Sequence, residues 1–251
     1  MSKIELLNGD SYELIKTIPD KSIDLIYVDI PYLYDKHGCS KKSALSKRID
    51  NVQNHQLAKI KDGIDYQILD EFCRVMKYIY IYIWCSKEQI LDLMEYFVKE
   101  KQCSFNILVW CKTNPTPATN GTYLPDIEYC LVFKEKGSPR YNDGYDLKSK
   151  WYVSAINKKD KDLYKHPTIK PLNLVKRHIK HSSNEGDTIL DCFMGSGTTG
   201  VACKELNRNF IGIEIDPTYV KIAQDRINGI TADGQLSIFS DIDNSEQESL
   251  F

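Results

Sequence analysis

The sequence contains a glycine-rich turn directly after a short apolar segment that ends in the acid Asp191. The stretch runs from Thr188 to Gly200 and spells T-I-L-D-C-F-M-G-S-G-T-T-G. Gly195 and Gly197 permit backbone angles that a Cβ atom would obstruct, and they let the main chain approach a bound molecule closely. The helix predicted after them would present unpaired N–H groups to an anion such as a carboxylate. The turn therefore predicts a small-ligand site at the end of a strand.

The glycine spacing alone is compatible with several ligands. Gly195, Gly197 and Gly200 fit the pattern G-x-G-x-x-G, and Glu214 lies near the distance expected of a ribose-binding acid in a dinucleotide enzyme. A phosphate-binding P-loop is disfavoured because no Lys-Ser/Thr pair follows the glycines. An ordinary strand–helix turn is the simplest alternative.

A second stretch with chemical potential is Asp29-Ile30-Pro31-Tyr32, which follows the apolar segment Ser22–Val28. The Asp29 carboxylate can accept one hydrogen of an exocyclic amine, and the main-chain carbonyl of Ile30 can accept the other. Tyr32 can stack on the ring that carries the amine. These residue types predict capture of a flat, amino-bearing ring, although an isolated motif of this kind is also typical of a capped turn with a packed tyrosine.

The elements that must position these residues alternate between apolar strands and helices, which predicts a mostly parallel sheet with helices on both faces. Strands are predicted over Lys3–Leu7, Ser22–Val28, Tyr78–Trp84, Phe105–Cys111, Ile127–Phe133, Thr188–Asp191 and Asn209–Ile213, and Ile127–Phe133 is expected to be antiparallel to its neighbour. Lys87–Lys99 has the periodicity of an amphipathic helix. Leu33–Asp62 and Lys136–Lys165 show no clear periodicity, and segments of this length are usually functional loops.

Four acids each lie just past the end of a predicted strand: Asp10, Asp29, Asp191 and Glu214. The carboxyl ends of parallel strands meet at one edge of a sheet, where an open α/β fold places its ligand. One such acid would be unremarkable, but four predict a site at that edge.

The composition is that of a globular protein. The chain has 251 residues, of which 27% are charged and 42% are hydrophobic. Met1 leads straight into a predicted strand, and no apolar run is long enough to span a bilayer. The eight cysteines form no C-x-x-C pair, which favours reduced core thiols over disulfides or zinc ligands. We therefore expect a cytoplasmic protein that is neither a membrane protein nor a metal-binding one.

The net charge of −2 conceals an uneven distribution. Residues 35–62 carry seven Lys or Arg against three acids, and residues 134–165 carry nine against five. Residues 232–251 carry five acids and no Lys or Arg. Two basic segments in a near-neutral chain indicate a polyanionic partner or solvated loops, and charge alone does not separate the two interpretations.

A third motif, H-P-T-I-K-P at residues 166–171, completes a set that resembles a known family. Together the three motifs resemble the D-P-P-Y, D-x-F-x-G-S-G-T-T and H-P-T-x-K-P motifs of S-adenosylmethionine-dependent DNA amino-methyltransferases. The catalytic motif precedes the cofactor motif, a permuted order that resembles the β group of these enzymes. The resemblance implies a Rossmann-like α/β fold and covers residues 10–229. Ile30 departs from the pattern, since it replaces the first proline of D-P-P-Y and makes the turn less rigid.

The resemblance also implies roles for individual residues. Asp191 would approach the methionine ammonium, Thr168 and Lys170 would serve the methionine carboxylate, Glu214 would bind the ribose hydroxyls, and Asp10 would lie at the adenine end. The implied cofactor-binding residues are Asp10, Thr168, Lys170, Asp191, Phe193, Gly195, Ser196, Gly197, Thr198 and Glu214, and the implied catalytic residues are Asp29, Ile30, Pro31 and Tyr32. Asp10 and Thr168 could equally be turn or capping residues.

The implied reaction is direct methyl transfer to the N6 amino group of an adenine flipped out of DNA. Aspartate at the head of the catalytic motif resembles adenine-modifying members, and cytosine-N4 methylation is the alternative. A DNA-binding module that has lost catalysis is a further alternative, which Ile30 makes conceivable. An NAD-dependent oxidoreductase fits less well, because only about fifty residues follow the glycine turn and Asp29 would have no task.

We predict a methyltransferase domain over residues 1–230 and an acidic tail over residues 231–251. Residues 33–62 and 136–165 are candidate target-recognition segments within that domain. The candidate phosphate contacts in them are Lys41, Lys42, Lys47, Arg48, Lys158 and Lys159. In the tail, Gln235-Leu236-Ser237-Ile238-Phe239 resembles the peptide by which bacterial replication proteins dock onto the sliding clamp, or it folds back onto the core. The recognition sequence and the oligomeric state are not predicted.

Overall fold

The computed structural model describes residues 2–33, 63–115, 123–139, 142, 144–156, 164 and 169–230. Its centre is an eight-stranded sheet in the order β1-β8-β7-β2-β3-β5-β4-β6. The strands are β1 (Ile4–Asn8), β2 (Leu25–Asp29), β3 (Tyr80–Cys85), β4 (Ser104–Lys112), β5 (Ile127–Lys134), β6 (Trp151–Ser154), β7 (Thr188–Asp191) and β8 (Asn209–Glu214). Of these eight described strands, only β5 runs antiparallel to its neighbours, β3 and β4. The predicted mostly parallel sheet and its antiparallel strand are confirmed.

Helices cover both faces of this sheet. They are α1 (Ser11–Leu14), α2 (Ile68–Val75), α3 (Ile90–Met94), α4 (Leu172–Ser182), α5 (Thr198–Glu205) and α6 (Pro217–Ile227). Short 3₁₀ turns occupy Ile15–Thr17, Lys87–Gln89 and Tyr145–Lys148, and a π-helical turn occupies Glu95–Glu100. Among the described helices, none is both long and apolar enough to cross a lipid bilayer.

Alternation along the central strands builds a core on each face of the sheet. Ile26 and Val28 of β2 belong to a cluster with Phe72 of α2, whereas Tyr27 belongs to a second cluster with Val175 of α4. Successive residues of a strand point to opposite faces, so a strand covered on both sides is apolar throughout. The first four residues of β2 and all six of β3 are buried. The buried part of β2 stops just before Asp29, so this polar residue lies at the end of the strand, outside the core.

The structure corrects two sequence-based expectations. The helix predicted over Lys87–Lys99 is divided into a 3₁₀ turn, α3 and a π-helical turn. Lys136–Lys165, in which no element was predicted, contains β6, which pairs in parallel with β4. β6 has the sequence W-Y-V-S, whose first three residues are all apolar, so it shows no alternation of apolar and polar residues. Of the first candidate recognition segment, residues 33–62, all but residue 33 lie outside the described part of the chain.

Candidate active site

Four adjacent parallel strands bring the four predicted acids to one edge of the sheet. β1, β8, β7 and β2 are neighbours, with Asn8 aligned to Glu214 and Asp191 aligned to Gly212. Asp29 ends β2, the strand next to β7. The catalytic motif and the glycine turn therefore lie at the same edge of the sheet, as their sequence positions predicted.

The carboxylate of Asp191 braces the glycine turn. Its Oδ1 accepts from the main-chain N–H of Phe193 at 3.1 Å, and its Oδ2 accepts from Thr199 Oγ1 at 2.6 Å. The residue is 3% exposed. Burial raises the pKa of Asp191 to about 7, the two hydrogen bonds oppose this, and the charges of Asp29 and Glu214 add to it. A bound cation would favour the ionised form of this carboxyl.

Glycines allow the turn after Asp191 to approach the helices beneath it. Gly195 and Gly197 have φ angles of 50° and 79°, in the left-handed region that favours glycine. A Cβ atom on Gly197 would lie 2.8 Å from the Cβ of Ala223 in α6, so the turn rests directly on that helix. Gly197 is also the N-cap of α5. A residue other than glycine at position 197 would therefore strain the backbone and collide with α6.

Glu214 and Asp10 hold main-chain groups at the edge of the sheet. Glu214 accepts from the N–H of Gly195 at 3.0 Å and from that of Asp216 at 2.9 Å. Burial raises its pKa, and these main-chain donors offset part of that shift. Asp10 caps α1 by accepting from Tyr12 N at 3.0 Å. The capping alternative for Asp10 is thus observed, and the cofactor roles of both acids stay predictions.

The turn Asp29–Tyr32, which we call the catalytic turn after its predicted role, is held by hydrogen bonds from neighbouring elements. Ile30 donates its main-chain N–H to the carbonyl of Trp84 at 3.2 Å, and its side chain is 1% exposed. Gln89, also buried, donates to the carbonyl of Pro31 at 2.9 Å. A proline at position 30 could not make the first of these bonds. The turn that lacks one proline is therefore held by a ladder hydrogen bond and by a side chain packed in the core.

A cluster of charges surrounds the Asp29 carboxylate, in which Lys170 is buried and the side chain of Asp29 is 30% exposed. Lys170 Nζ lies 2.5 Å from Asp29 Oδ2, 3.1 Å from Glu128 Oε2 and 3.3 Å from the hydroxyl of Tyr32. The other oxygen of Glu128 lies 2.6 Å from Lys112 Nζ. Asp29 Oδ1 is buried and has no hydrogen-bond partner among the described residues. A buried acceptor without a donor lowers the stability of the folded protein by about 1–3 kcal/mol, and a donor that reaches it removes this penalty.

Burial and the two lysines set the charge states in this cluster. Burial raises the pKa of Asp29, Lys170 lowers it in part, and Glu128 raises it again, so that the net shift is upward. Burial also raises the pKa of Glu128, but Lys170 and Lys112 outweigh it and bring the pKa to about 2. Burial lowers the pKa of Lys170, and the two carboxylates reverse this to a net increase. Lys170 and Glu128 are therefore charged at neutral pH.

The described residues include only part of the predicted site. Thr168 and all the predicted phosphate contacts (Lys41, Lys42, Lys47, Arg48, Lys158 and Lys159) lie outside the described residues, as does the tail peptide Gln235–Phe239. Of the other predicted residues, Phe193, Ser196 and Thr198 lie on the glycine turn and at the start of α5.

Four residues that support the site were not predicted from the sequence. Glu128, Lys112 and Gln89 surround the catalytic turn, and Arg226 of α6 donates to Ser196 Oγ at 3.1 Å and to Thr198 Oγ1 at 2.7 Å. The sequence does indicate a structural role for Gln89, because Ser86 and Gln89 form the S-x-x-Q pattern of a capping box. For Lys112 and Glu128 the indication is weaker and consists of charged residues within the strands β4 and β5.

A doubly covered parallel sheet with a glycine turn after a strand-end acid defines the class of α/β enzymes that bind a nucleoside cofactor at the sheet edge. A model of the DNA methylase family matches residues 23–225. The type II methyltransferase M2.LlaDCHI of Lactococcus lactis subsp. cremoris is 30% identical over 240 residues, which cover 89% of this chain and 88% of that protein. M2.DpnII of Streptococcus pneumoniae is 29% identical over 243 residues, which cover 90% of each chain.

Solved structures are similar over comparable lengths. The crystal structure of the M1.HpyAVI–SAM complex has a TM-score of 0.63 and 26% identity, and the match covers 89% of this chain and 99% of that one. PvuII DNA methyltransferase, which is cytosine-N4-specific, shares the fold with a TM-score of 0.69 at 16% identity. The chain belongs to the N6-adenine/N4-cytosine DNA methylase family. It is an S-adenosylmethionine-dependent DNA methyltransferase, which confirms the class and the cofactor implied by the motifs.

The residues at the sheet edge fit that cofactor. The buried carboxyl of Asp191 suits a nearby positive charge, and the glycines at 195 and 197 allow the main chain to approach an adenosyl group closely.

Proposed function

We propose that the protein methylates the N6 amino group of an adenine that is flipped out of DNA. The observation that carries this proposal is the Asp29 carboxylate, which has one oxygen held by Lys170 and a second, buried oxygen without a partner among the described residues. An exocyclic amine would supply the donor that this second oxygen lacks, once the base displaces the groups that cover that oxygen. Aspartate at this position resembles the adenine-modifying members of the family and favours adenine over cytosine.

S-adenosylmethionine supplies the electrophilic methyl group when bound. The residues of this chain hold the acceptor: Asp29 Oδ1 would take one hydrogen of the amine and the main-chain carbonyl of Ile30 the other. Holding both hydrogens favours a pyramidal nitrogen whose lone pair is available for attack, and no strong base is needed. Positioning of this kind supplies much of the rate enhancement.

Tyr32 is the proposed stacking partner of the flipped base. Its hydroxyl lies 3.4 Å from Glu128 Oε2 and 3.3 Å from Lys170 Nζ, which fixes the ring beside Asp29. Extruding a base from a duplex costs a few kcal/mol, and stacking on an aromatic ring offsets part of this cost. A base still inside the helix could not reach a carboxylate at the edge of the sheet.

The test is incubation of the protein with unmethylated genomic DNA and S-adenosylmethionine, followed by sequencing that detects modified bases. We expect methylated adenines in one recurring sequence context. If cytosines are methylated instead of adenines, the cytosine-N4 alternative is supported. An unmodified genome together with normal cofactor binding would favour the catalytically impaired DNA-binding module.

We further propose that residues 33–62 and 136–165 form target-recognition segments within a methyltransferase domain of residues 1–230. Lys41, Lys42, Lys47, Arg48, Lys158 and Lys159 would contact DNA phosphates. Support comes from their clustering in the two basic segments. Replacing both Lys41 and Lys42 with alanine should reduce the slope of log affinity against log salt by about 2. An unchanged slope would remove them from the interface.

The acidic tail is proposed to dock onto a bacterial sliding clamp through Gln235–Phe239, which would place the protein in the cytoplasm beside replicating DNA. The support is a short apolar anchor within an acidic segment. A synthetic peptide of residues 231–251 should bind purified clamp, and the same peptide with Leu236 and Phe239 changed to alanine should not. Equal binding of the two peptides, or none, would contradict docking.

A further inference from the structure

Lys170 lies against the catalytic turn, although the family motif implies a place beside the methionine carboxylate. It sits two residues before α4, its side chain is 8% exposed, and its ammonium group is within 3.3 Å of Asp29, Glu128 and Tyr32. The contacts of the glycine turn come instead from Asp191, Glu214, α6 and Ser11 of α1. The position of Lys170 therefore raises the question of which site it serves.

The hydrogen-bonding capacity of Lys170 is filled by the catalytic turn and its neighbour. A lysine ammonium has three N–H donors and no acceptor. Asp29 Oδ2, Glu128 Oε2 and the Tyr32 hydroxyl provide three acceptors. No donor is left for a further carboxylate, so binding the cofactor would require Lys170 to release one of these partners.

The charges around Asp29 also depend on Lys170. Glu128 faces Lys170 from β5, and Lys112 faces Glu128 from β4. Asp191 acts on the same edge from β7, and the thiols of Cys85 and Cys130 lie close enough for their pKa values to respond to Asp29. Tyr32 also lowers the pKa of Asp29 through its hydroxyl, while Lys112 is paired with Glu128. Without Lys170, the partly buried carboxylates of Asp29 and Glu128 would face each other with no cation between them and would repel each other.

We propose that Lys170 is a positioning residue for the methylation reaction, which holds Asp29 Oδ2, keeps the carboxylate ionised, and so reserves Oδ1 for the amine of the target base. This inference rests on the proposed role of Asp29 as the acceptor of that amine. It differs from the role implied by the family motif, in which Lys170 serves the cofactor.

The direct test follows the ionisation of Asp29 by NMR, which does not require catalysis. Protein with ¹³C-labelled aspartate is titrated, and the Asp29 signal is assigned from its loss in Asp29→Asn. In Lys170→Met, the pKa of Asp29 should rise by about 1–3 units, because an opposite charge within hydrogen-bonding distance has been removed. An unchanged pKa would overturn the proposal. Lys170→Gln serves the same purpose where Lys170→Met does not fold.

A second pair of variants separates charge from packing. In Lys170→Met/Glu128→Gln the repelling carboxylate is also absent, so the pKa of Asp29 should fall back toward its value in the unmodified protein. In Glu128→Gln alone, Lys170 remains and the pKa of Asp29 should lie below that of the unmodified protein. A double variant identical to Lys170→Met would show that Glu128 and Lys170 do not act together, and would contradict the cluster as described.

Cofactor binding and methylation distinguish the remaining outcomes. For Lys170→Met we expect the Kd of S-adenosylmethionine, measured by calorimetry, to change by less than about threefold, while methylation near pH 7 falls by on the order of 10²-fold and its acid limb moves to higher pH. A Kd weakened more than about tenfold with an unmoved acid limb would assign Lys170 to the cofactor instead. Failure of the unmodified protein to methylate adenine would refute the proposed function, while the NMR titration would still decide the role of Lys170.

Discussion

The glycine turn and the catalytic turn lie at the same sheet edge but are built in different ways. Most of the bonds that hold the glycine turn come from residues between Asp191 and Arg226, and they are main-chain or short polar contacts. Ser11 of α1 adds a long-range bond, because its hydroxyl donates to the carbonyl of Cys192. The catalytic turn at Asp29 depends on Trp84, Gln89 and Lys170, which are distant in sequence. The cofactor side is thus mainly a local motif, whereas the catalytic side is assembled by the tertiary fold.

The two aspartates show the same difference in their electrostatics. Burial raises the pKa of both, but Asp191 is bonded to a hydroxyl and an N–H, whereas Asp29 is bonded to an ammonium group. The Asp191 carboxylate therefore suits a ligand that carries a positive charge. The Asp29 carboxylate is already paired with the ammonium group of Lys170 and suits a neutral N–H donor.

The largest expected effect comes from removing the catalytic carboxylate. Asp29→Ala should reduce methyl transfer by on the order of 10³-fold, because the amine loses its acceptor, while the Kd of S-adenosylmethionine should stay within about threefold. Single-turnover transfer and calorimetry measure the two quantities. Asp29→Asn, which keeps an oxygen but loses the charge, should lie between. An equal loss of cofactor affinity would show that the two turns are not separable.

The glycine turn can be broken by one methyl group. Gly197→Ala adds a Cβ at φ 79° and 2.8 Å from Ala223, so unfolding free energy should fall by about 2–5 kcal/mol and transfer by on the order of 10²-fold. Gly186→Ala is the matched control, with φ 85° but open space around the new atom. It should cost about 1–2 kcal/mol and leave transfer unchanged. Equal effects of the two variants would mean that backbone strain, and not contact with α6, is what matters.

The remote support of the catalytic turn can be removed without touching a charge. Gln89→Met should lower kcat by roughly 10- to 30-fold, because the Pro31 carbonyl loses its donor and the turn loosens. The Kd of S-adenosylmethionine should not change, since the described hydrogen bonds of Gln89 go to Ser86 and Pro31 and none goes to the glycine turn. A raised Kd with an unaltered kcat would place Gln89 in the cofactor site. It would also contradict the assignment of Gln89 to the support of the catalytic turn.

The smallest effect is a pH dependence of cofactor binding. Below about pH 7 the Asp191 carboxyl is protonated and neutral, and a bound cation favours its ionised form. Affinity for S-adenosylmethionine should therefore fall as the pH decreases from about 8 to about 6, by at most about tenfold. Asp191→Asn should bind more weakly and lack this dependence. A slope that persists in the variant would assign the titration to another group.

The sequence was most informative where a residue type reports directly on its own environment. Runs of buried apolar residues predicted β2 and β7, and Asp29 and Asp191 at their ends were correctly expected at one edge. The antiparallel strand β5 was also predicted. The carboxyl ends of parallel strands share an edge whatever the loops do, so this part of the site follows from strand order alone.

The charge cluster could not be predicted in the same way. Glu128 meets Lys170 only because β5 pairs with β3 and β4 in one register, and a shift of one residue would turn Glu128 to the other face. Family resemblance assigned Lys170 to the cofactor, while the three-dimensional contacts place it beside Asp29. Contacts between residues so distant in sequence leave no periodic signal in either segment.

The most direct test of the role of Asp29 is mass spectrometry of the deoxynucleosides released from unmethylated DNA after incubation with the protein and isotopically labelled S-adenosylmethionine. We expect labelled N6-methyl-2′-deoxyadenosine from the unmodified protein, and none above background from Asp29→Ala. Label in N4-methyl-2′-deoxycytidine, or equal labelled N6-methyl-2′-deoxyadenosine from both proteins, would contradict the placement of the target amine on Asp29.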